Sequence, residues 1–546
     1  MKNSLSLLAL AFVIVPPSGA VAPDQAIGNL LDAVAAPSAV FDGSRPGAGA
    51  VVAPVSGRTH LPAAAVKAAG NSTTAAPAPA PQTPAASPDI QPTSAHGISD
   101  GRLGLYSEDG FELGTGRCSL CNGPREGKWY FLDEVIATPK SGPPALVWIG
   151  SHELIEGATL SKDGTTITLK DGTSMPFALT PKIAMNRSYY DASSVAYLSS
   201  RTLRIRGEFA LVDGVRTLVA RTIWPEDFKI DAANLSTADA ASAGDVDKLV
   251  AADKGGAKAP FETKLLWEKP GADRAWDGKP VMGFMLNGAQ GDDDEALAGH
   301  FSFFTGVYPA GGSMADWMFD NFYDMDLVSE KGIVASMVPM DKYMTDLNSG
   351  QSWYRPTDML VLVMKDERAP LALQEKFKDQ YAKYYAHAIK YDRIHNTCAA
   401  LIVDPLKAEG WSIPAKGRTP KPLAWAISKI VQATSKDPNA GKTAYGYMRE
   451  EPTRVFPRAS FDSAGGELLS MAGADGAAPL GRELTPFEKE IQEDLVAVLF
   501  VRLPQVPSSR AFGRDPAGSF LGYAARRPDL NKTVPNDPRP FPPVQQ

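Results

Sequence analysis

The sequence predicts an α+β protein with a β-rich unit ahead of a mixed unit, and three observations carry that prediction. Asp-Gly pairs separate alternating apolar runs between residues 99 and 235. Short continuous apolar runs are then followed by a long helical pattern between residues 261 and 410. Further helical patterns occupy residues 411–546 before a proline-rich end. A chain of 546 residues exceeds one ordinary core, at roughly 100–200 residues per domain.

Composition narrows the function classes. Lys and Arg number 55 against 62 Asp and Glu, a net charge of −7. Without a basic excess there is little to neutralise nucleic-acid phosphates or an anionic membrane, so neither is an expected partner. Three cysteines exclude a disulfide-dense scaffold.

The order of the chain begins with a secretory pattern over residues 1–20. Lys2 precedes the short apolar run Leu5 to Val15, Pro16-Pro17 break it, and Ser18 and Ala20 suit cleavage after Ala20. The run is too short to span a bilayer, and no later run reaches the ~18 residues a span requires. The mature protein is therefore expected to be exported, periplasmic or secreted, with no transmembrane helix. Residues 21–98 are rich in Ala, Pro, Ser and Thr. In Ala75-Ala76-Pro77-Ala78-Pro79-Ala80-Pro81 the prolines remove backbone donors and fix φ, and the tract buries too little to offset its ordering entropy, so a disordered stalk is expected.

An antiparallel β domain is expected over 99–235. Asp163-Gly164, Asp171-Gly172 and Asp213-Gly214 supply the positive φ angles of tight hairpins, and Thr166 to Leu169 alternates between them. Residues 236–260 read as a linker. Within 261–410, Val281–Leu286, Phe301–Val307 and Met359–Met364 read as strands. Glu375–Ile394 reads as a helix whose stripe Phe377, Tyr381, Tyr384, Ala388 and Tyr391 packs into the core. In the extension 411–546, Leu423–Thr434 and Phe487–Leu503 read as helices, followed by a proline-rich tail.

Several motifs fail on chemistry. His152-Glu153-Leu154-Ile155-Glu156 lacks the second imidazole of a zinc-protease helix. Asp292-Asp293-Asp294-Glu295 lacks the ligand spacing of an EF-hand. Two elements survive. His300 opens the apolar strand Phe301 to Val307, and His395-Asn396-Thr397-Cys398 opens an apolar helix. Asn396 as N-cap sets Cys398 at the second helical position, where the helix dipole and unpaired N–H groups favour the thiolate. A neighbouring histidine then serves as base. Pro405 is expected to end or kink this helix.

Gly299-His300 on a strand, then Tyr384-Tyr385 and Asn396-Thr397-Cys398 with the thiol 98 residues after the imidazole, resemble the permuted papain-like thiol fold. That group holds NlpC/P60 and lecithin:retinol acyltransferase-like enzymes, and the closer likeness is to the Lnb/DUF4105 periplasmic domain. The resemblance covers roughly residues 275–410 and differs in the extra Thr397, since those families place Asn directly before Cys. It implies a permuted papain-like domain over 261–410, with Cys398 as nucleophile and His300 as base. Asn321 is chosen over Asp316 and Asp320 to orient the imidazole. The implied chemistry is acyl transfer or hydrolysis on a cell-envelope peptide or lipoprotein, with no cofactor.

Two alternatives use the same residues. Cys118-Ser119-Leu120-Cys121 with His395 and Cys398 would complete a Cys₃His structural zinc set. The cysteine pairs are 277 residues apart, and in an exported protein Cys118 and Cys121 are better read as a disulfide or redox pair. A catalytically inactive envelope-binding or scaffolding protein of the same fold is the other.

Overall fold

The computed structural model describes residues 101–103, 135–138, 147–149, 153–179, 190–238, 244–251, 260–288, 299–320, 322, 337–345, 347, 356–385, 389, 392–435, 437–504, 506–507 and 516–520. The signal and stalk readings, Cys118, Cys121, Asn321, Asp292 to Glu295 and the proline-rich tail lie outside these residues.

Three short strands come first, β1 (Gly101–Leu103), β2 (Val135–Thr138) and β3 (Val147–Ile149), paired antiparallel in that order. A closed five-stranded barrel follows, built from β4 (Glu153–Leu160), β5 (Thr166–Thr168), β6 (Ser174–Leu179), β7 (Thr202–Val212) and β8 (Val215–Pro225). Helix α1 (Ala192–Leu198) lies between β6 and β7, capped by Asp191. The Asp-Gly pairs make the turns as expected. Gly164 and Gly172 have φ of 75° and 87°, and Asp213 and Gly214 have φ of 51° and 77° at the β7–β8 turn. Closure removes sheet edges and lets Leu203, Ile205, Leu218 and Ala220 fill the interior.

The remaining strands are β9 (Ser236–Thr237), β10 (Glu262–Glu268), β11 (Pro280–Asn287), β12 (His300–Val307), β13 (Met318–Asp320), β14 (Met337–Pro339), β15 (Thr357–Met364) and β16 (Leu495–Leu503). They form one eight-stranded sheet in the order β14-β13-β12-β11-β15-β16-β10-β9. The helices are α2 (Val246–Ala251), α3 (Met340–Thr345), α4 (Arg368–Tyr385), α5 (Cys398–Glu409), α6 (Lys421–Thr434), α7 (Ala440–Arg449), α8 (Pro452–Val455), α9 (Pro457–Ala472) and α10 (Pro486–Asp494). Among the described residues, no helix is long and apolar enough to cross a membrane.

Four sequence expectations are corrected. Leu495–Leu503 is not helix but a central strand paired with β15 and β10, all nine residues buried. Helix and strand both accept an unbroken apolar run; here three valines and burial on two faces favour the strand. The predicted 236–260 linker contains β9, which extends the sheet, and α2, which places Val246, Leu249 and Val250 in the core. The aromatic helix runs Arg368–Tyr385, earlier at both ends than predicted, and residues 392–394 form a turn; of its stripe, Phe377 is described and buried. Finally, α5 does not end at Pro405 but runs to Glu409, four residues beyond it, where Gly410 with φ of 109° caps it in the left-handed region. Its neighbours hold the helix together where the proline removes one hydrogen bond.

The two units share an ionic contact. Leu203 and Ile205 point into the barrel, so the alternating Arg204 and Arg206 point out, towards α3. Asp341 accepts from Arg206 Nε at 2.7 Å and from Arg204 Nε at 3.1 Å. Asp316 accepts from Arg204 at 2.5 Å and from Arg206 at 3.2 Å. Asp341 and Arg206 are fully buried.

Candidate active site

The turn before α5 is built by Asp392. Its carboxylate accepts from the N–H groups of Ile394 and His395 at 2.9 and 2.6 Å, and its backbone bridges to Asn396. The chain then enters the helix through Thr397, whose Oγ1 accepts from Ala400 N–H at 3.3 Å and donates to Arg454 O at 2.6 Å. Thr397 is therefore the N-cap, not Asn396, and Cys398 is the first helical residue rather than the second. Threonine is a good cap because its short side chain reaches the orphan donors of the first turn. Thr397 thus stands directly before the thiol. Cys398 is 8% exposed, and Ala399 to Val403 behind it are buried.

Around this terminus lies a charged network. His395 Nδ1 is 2.8 Å from Glu450 Oε2, while the His395 carbonyl accepts from Arg454 at 2.9 Å. Arg454 also reaches both carboxylate oxygens of Asp404, at 2.9 and 2.8 Å, and Glu450 Oε1 at 2.9 Å. Burial opposes ionisation of Glu450, but the Glu451 N–H, His395 and Arg454 outweigh it and hold its carboxyl below the ordinary 4.5. His395 itself is exposed.

His300 begins β12, directly opposite Asn287 of β11. Its ring lies 6.3 Å from that of Tyr343. Tyr343 Oη donates to Asn287 Oδ1, and Asn287 Nδ2 donates to Thr357 Oγ1 at 2.7 Å. All four residues are buried. A polar patch in a core persists only when its members satisfy one another, and these do so across β11, β15 and α3.

Strand alternation assigns the faces. His300 shares its face with Ser302 and Phe304, and Phe304 stacks on Trp317 at 5.4 Å. The opposite face presents Phe303, stacked on Phe377 of α4 at 5.4 Å, and Thr305, bonded to Gln374 of α4. Helix α5 packs beside α4 on β12, and Trp411 just beyond it meets Phe284, the partner of Phe303, at 5.0 Å. Helix α4 runs antiparallel to β12, with Gln374 at Thr305 and Phe377 at Phe303. His300 thus lies on the Tyr343 face of β12, while the helix that Cys398 opens packs on the opposite face, beside α4.

The other candidates fall elsewhere. Asp320 faces the helices opposite Phe303, and Asp316 is spent on Arg204 and Arg206. Of the zinc alternative, His395 is engaged by Glu450; among the described residues no three of His, Cys, Asp and Glu are gathered to hold a metal ion. Sequence reasoning missed Tyr343, Asn287, Glu450 and Arg454. Asn287 left a trace, as the polar end of an apolar strand; the other three sit among ordinary surface-like text. No family model, curated protein or solved structure matches the chain.

Proposed function

We propose that the chain is an exported cysteine-dependent acyl-transfer enzyme, an amidase, peptidase or acyltransferase acting on a cell-envelope peptide or lipoprotein. One observation carries the reading: Cys398 is the first residue of a buried apolar helix packed on the strand that His300 opens. The positive end of that helix favours a thiolate. The thiolate attacks the carbonyl carbon of an amide or ester. The leaving amine or alcohol takes a proton from an imidazolium, and a thioester remains. Water, or an acceptor amine or hydroxyl that surrenders its proton to the imidazole, then releases the acyl group and restores the thiol. His300 is the base by resemblance; His395, held by Glu450, is a second imidazole on the same turn.

A non-catalytic envelope-binding protein of the same fold is the second reading, favoured by the arrival of His300 and Cys398 from different faces. Site-resolved iodoacetamide labelling separates the two. The enzyme reading expects Cys398 to label well below the pH range of an ordinary thiol of pKa about 8.5, and His300→Ala to remove that advantage. Loss in His395→Ala alone would transfer the role of base. Ordinary behaviour in every variant would leave the binding reading.

A further inference from the structure

We infer that the barrel is part of the His300 site, with Arg204 and Arg206 acting as positioning residues for the imidazole through Asp341 and Tyr343 of α3. The inference rests on the proposed role of His300 only for its consequence, not for its geometry.

The chain of contacts is continuous. Arg206 is fully buried and lies 2.7 Å from the fully buried Asp341, which Arg204 also reaches at 3.1 Å. Asp341 is the second residue of α3, and its Oδ1 accepts from Lys342 N–H at 2.8 Å, so the arginines fix the first turn of that helix. Burial opposes the charge of Arg204, but Asp341, Asp316 and Glu156 outweigh it and keep the guanidinium charged. Two residues on, Tyr343 stacks on Phe319 at 5.5 Å, lies beside His300 and donates to Asn287, the strand partner of His300.

A six-residue helix is too short to hold its own position in water. Its orientation comes from what it packs against, and on the barrel side that is a charge pair with little tolerance for displacement. A planar guanidinium fork fixes a carboxylate more tightly than an ammonium does. Rotation of α3 would withdraw Tyr343 from Asn287 and open the His300 face.

The test reads His300 itself and needs no catalysis, so its failure is distinct from failure of the enzyme reading. The ring signals of the six histidines are followed by NMR across pH, with His300 assigned from His300→Gln. Arg206→Lys and Tyr343→Phe are each expected to move the His300 midpoint by about 0.3 unit or more, leaving His395 in place. Combined, they should move it by clearly less than the sum, because both act through α3. An unmoved His300 in Arg206→Lys, or strict additivity, would overturn the inference. Should Arg206→Lys not fold, Arg204→Lys, which keeps the Arg206–Asp341 contact, is read by the same criteria.

Discussion

The barrel and the eight-stranded sheet are both mainly antiparallel, each with one parallel pair, β6–β8 and β9–β10, yet different physics sets their registers. In the barrel, β4 to β6 and the β7–β8 pair are joined by tight turns with left-handed residues, so the local chain dictates the pairing. In the sheet, the centre joins β15 to β16, with Leu360 opposite Phe500, 140 residues apart in sequence. No turn can specify that pairing. Burial specifies it, because a one-residue slip would exchange the residues facing α9 with those facing the other layer. A locally encoded unit therefore sits beside one assembled from distant segments, and α3 is held between them.

The largest expected effect tests the distant pairing. Phe500→Ala removes a fully buried ring between β15 and β10 and should lower stability by about 3–5 kcal/mol in urea unfolding. A loss under about 1 kcal/mol would mean that β16 is dispensable. Gly214→Ala tests the local code. Gly214 has φ of 77° with no atom near an added Cβ, so only backbone strain opposes the change, about 1–2 kcal/mol. Hydrogen exchange should show the loss confined to the β7–β8 hairpin; a loss spread into β15 and β16 would break the contrast.

Two smaller effects sharpen the contrast at the helix terminus. Thr397→Ala deletes the cap and should cost about 1 kcal/mol, while Thr397→Asn should retain most of the stability. In thermal unfolding, equal losses in both variants would assign the effect to the Arg454 contact instead. Glu450→Gln should matter only above the acid range. A carboxyl whose folded pKa lies below 4.5 contributes stability above its unfolded value and loses it as pH falls through the folded value. The difference between wild type and Glu450→Gln should thus be largest near neutrality, under about 1 kcal/mol, and fade below pH ~4. A difference that grows on acidification would reverse the assignment.

Particular residues show how far the site was legible. The strand beginning at His300 and the helix beginning at Cys398 announce themselves as a polar residue followed by an apolar run. Thr397 as cap was one position from the expected Asn396, because both residue types cap well and sequence does not rank neighbouring choices. Tyr343 and Glu450 gave no signal, since their meaning comes from what they touch, 43 residues after His300 and 55 after His395.

By itself the sequence determined the α+β class, the barrel hairpins, the strands over 281–286, 301–307 and 359–364, and the helix over 423–434. These are properties of short-range periodicity and turn chemistry, which act within a few residues. Only the tertiary structure decided that 495–503 is a strand, that the barrel arginines meet Asp341, and which face of the sheet each site residue occupies. A run of seven buried apolar residues, 495–501, satisfies a helix and a strand equally until neighbours supply its backbone partners. Likewise, a buried arginine becomes tolerable only where a carboxylate from another unit has been folded against it.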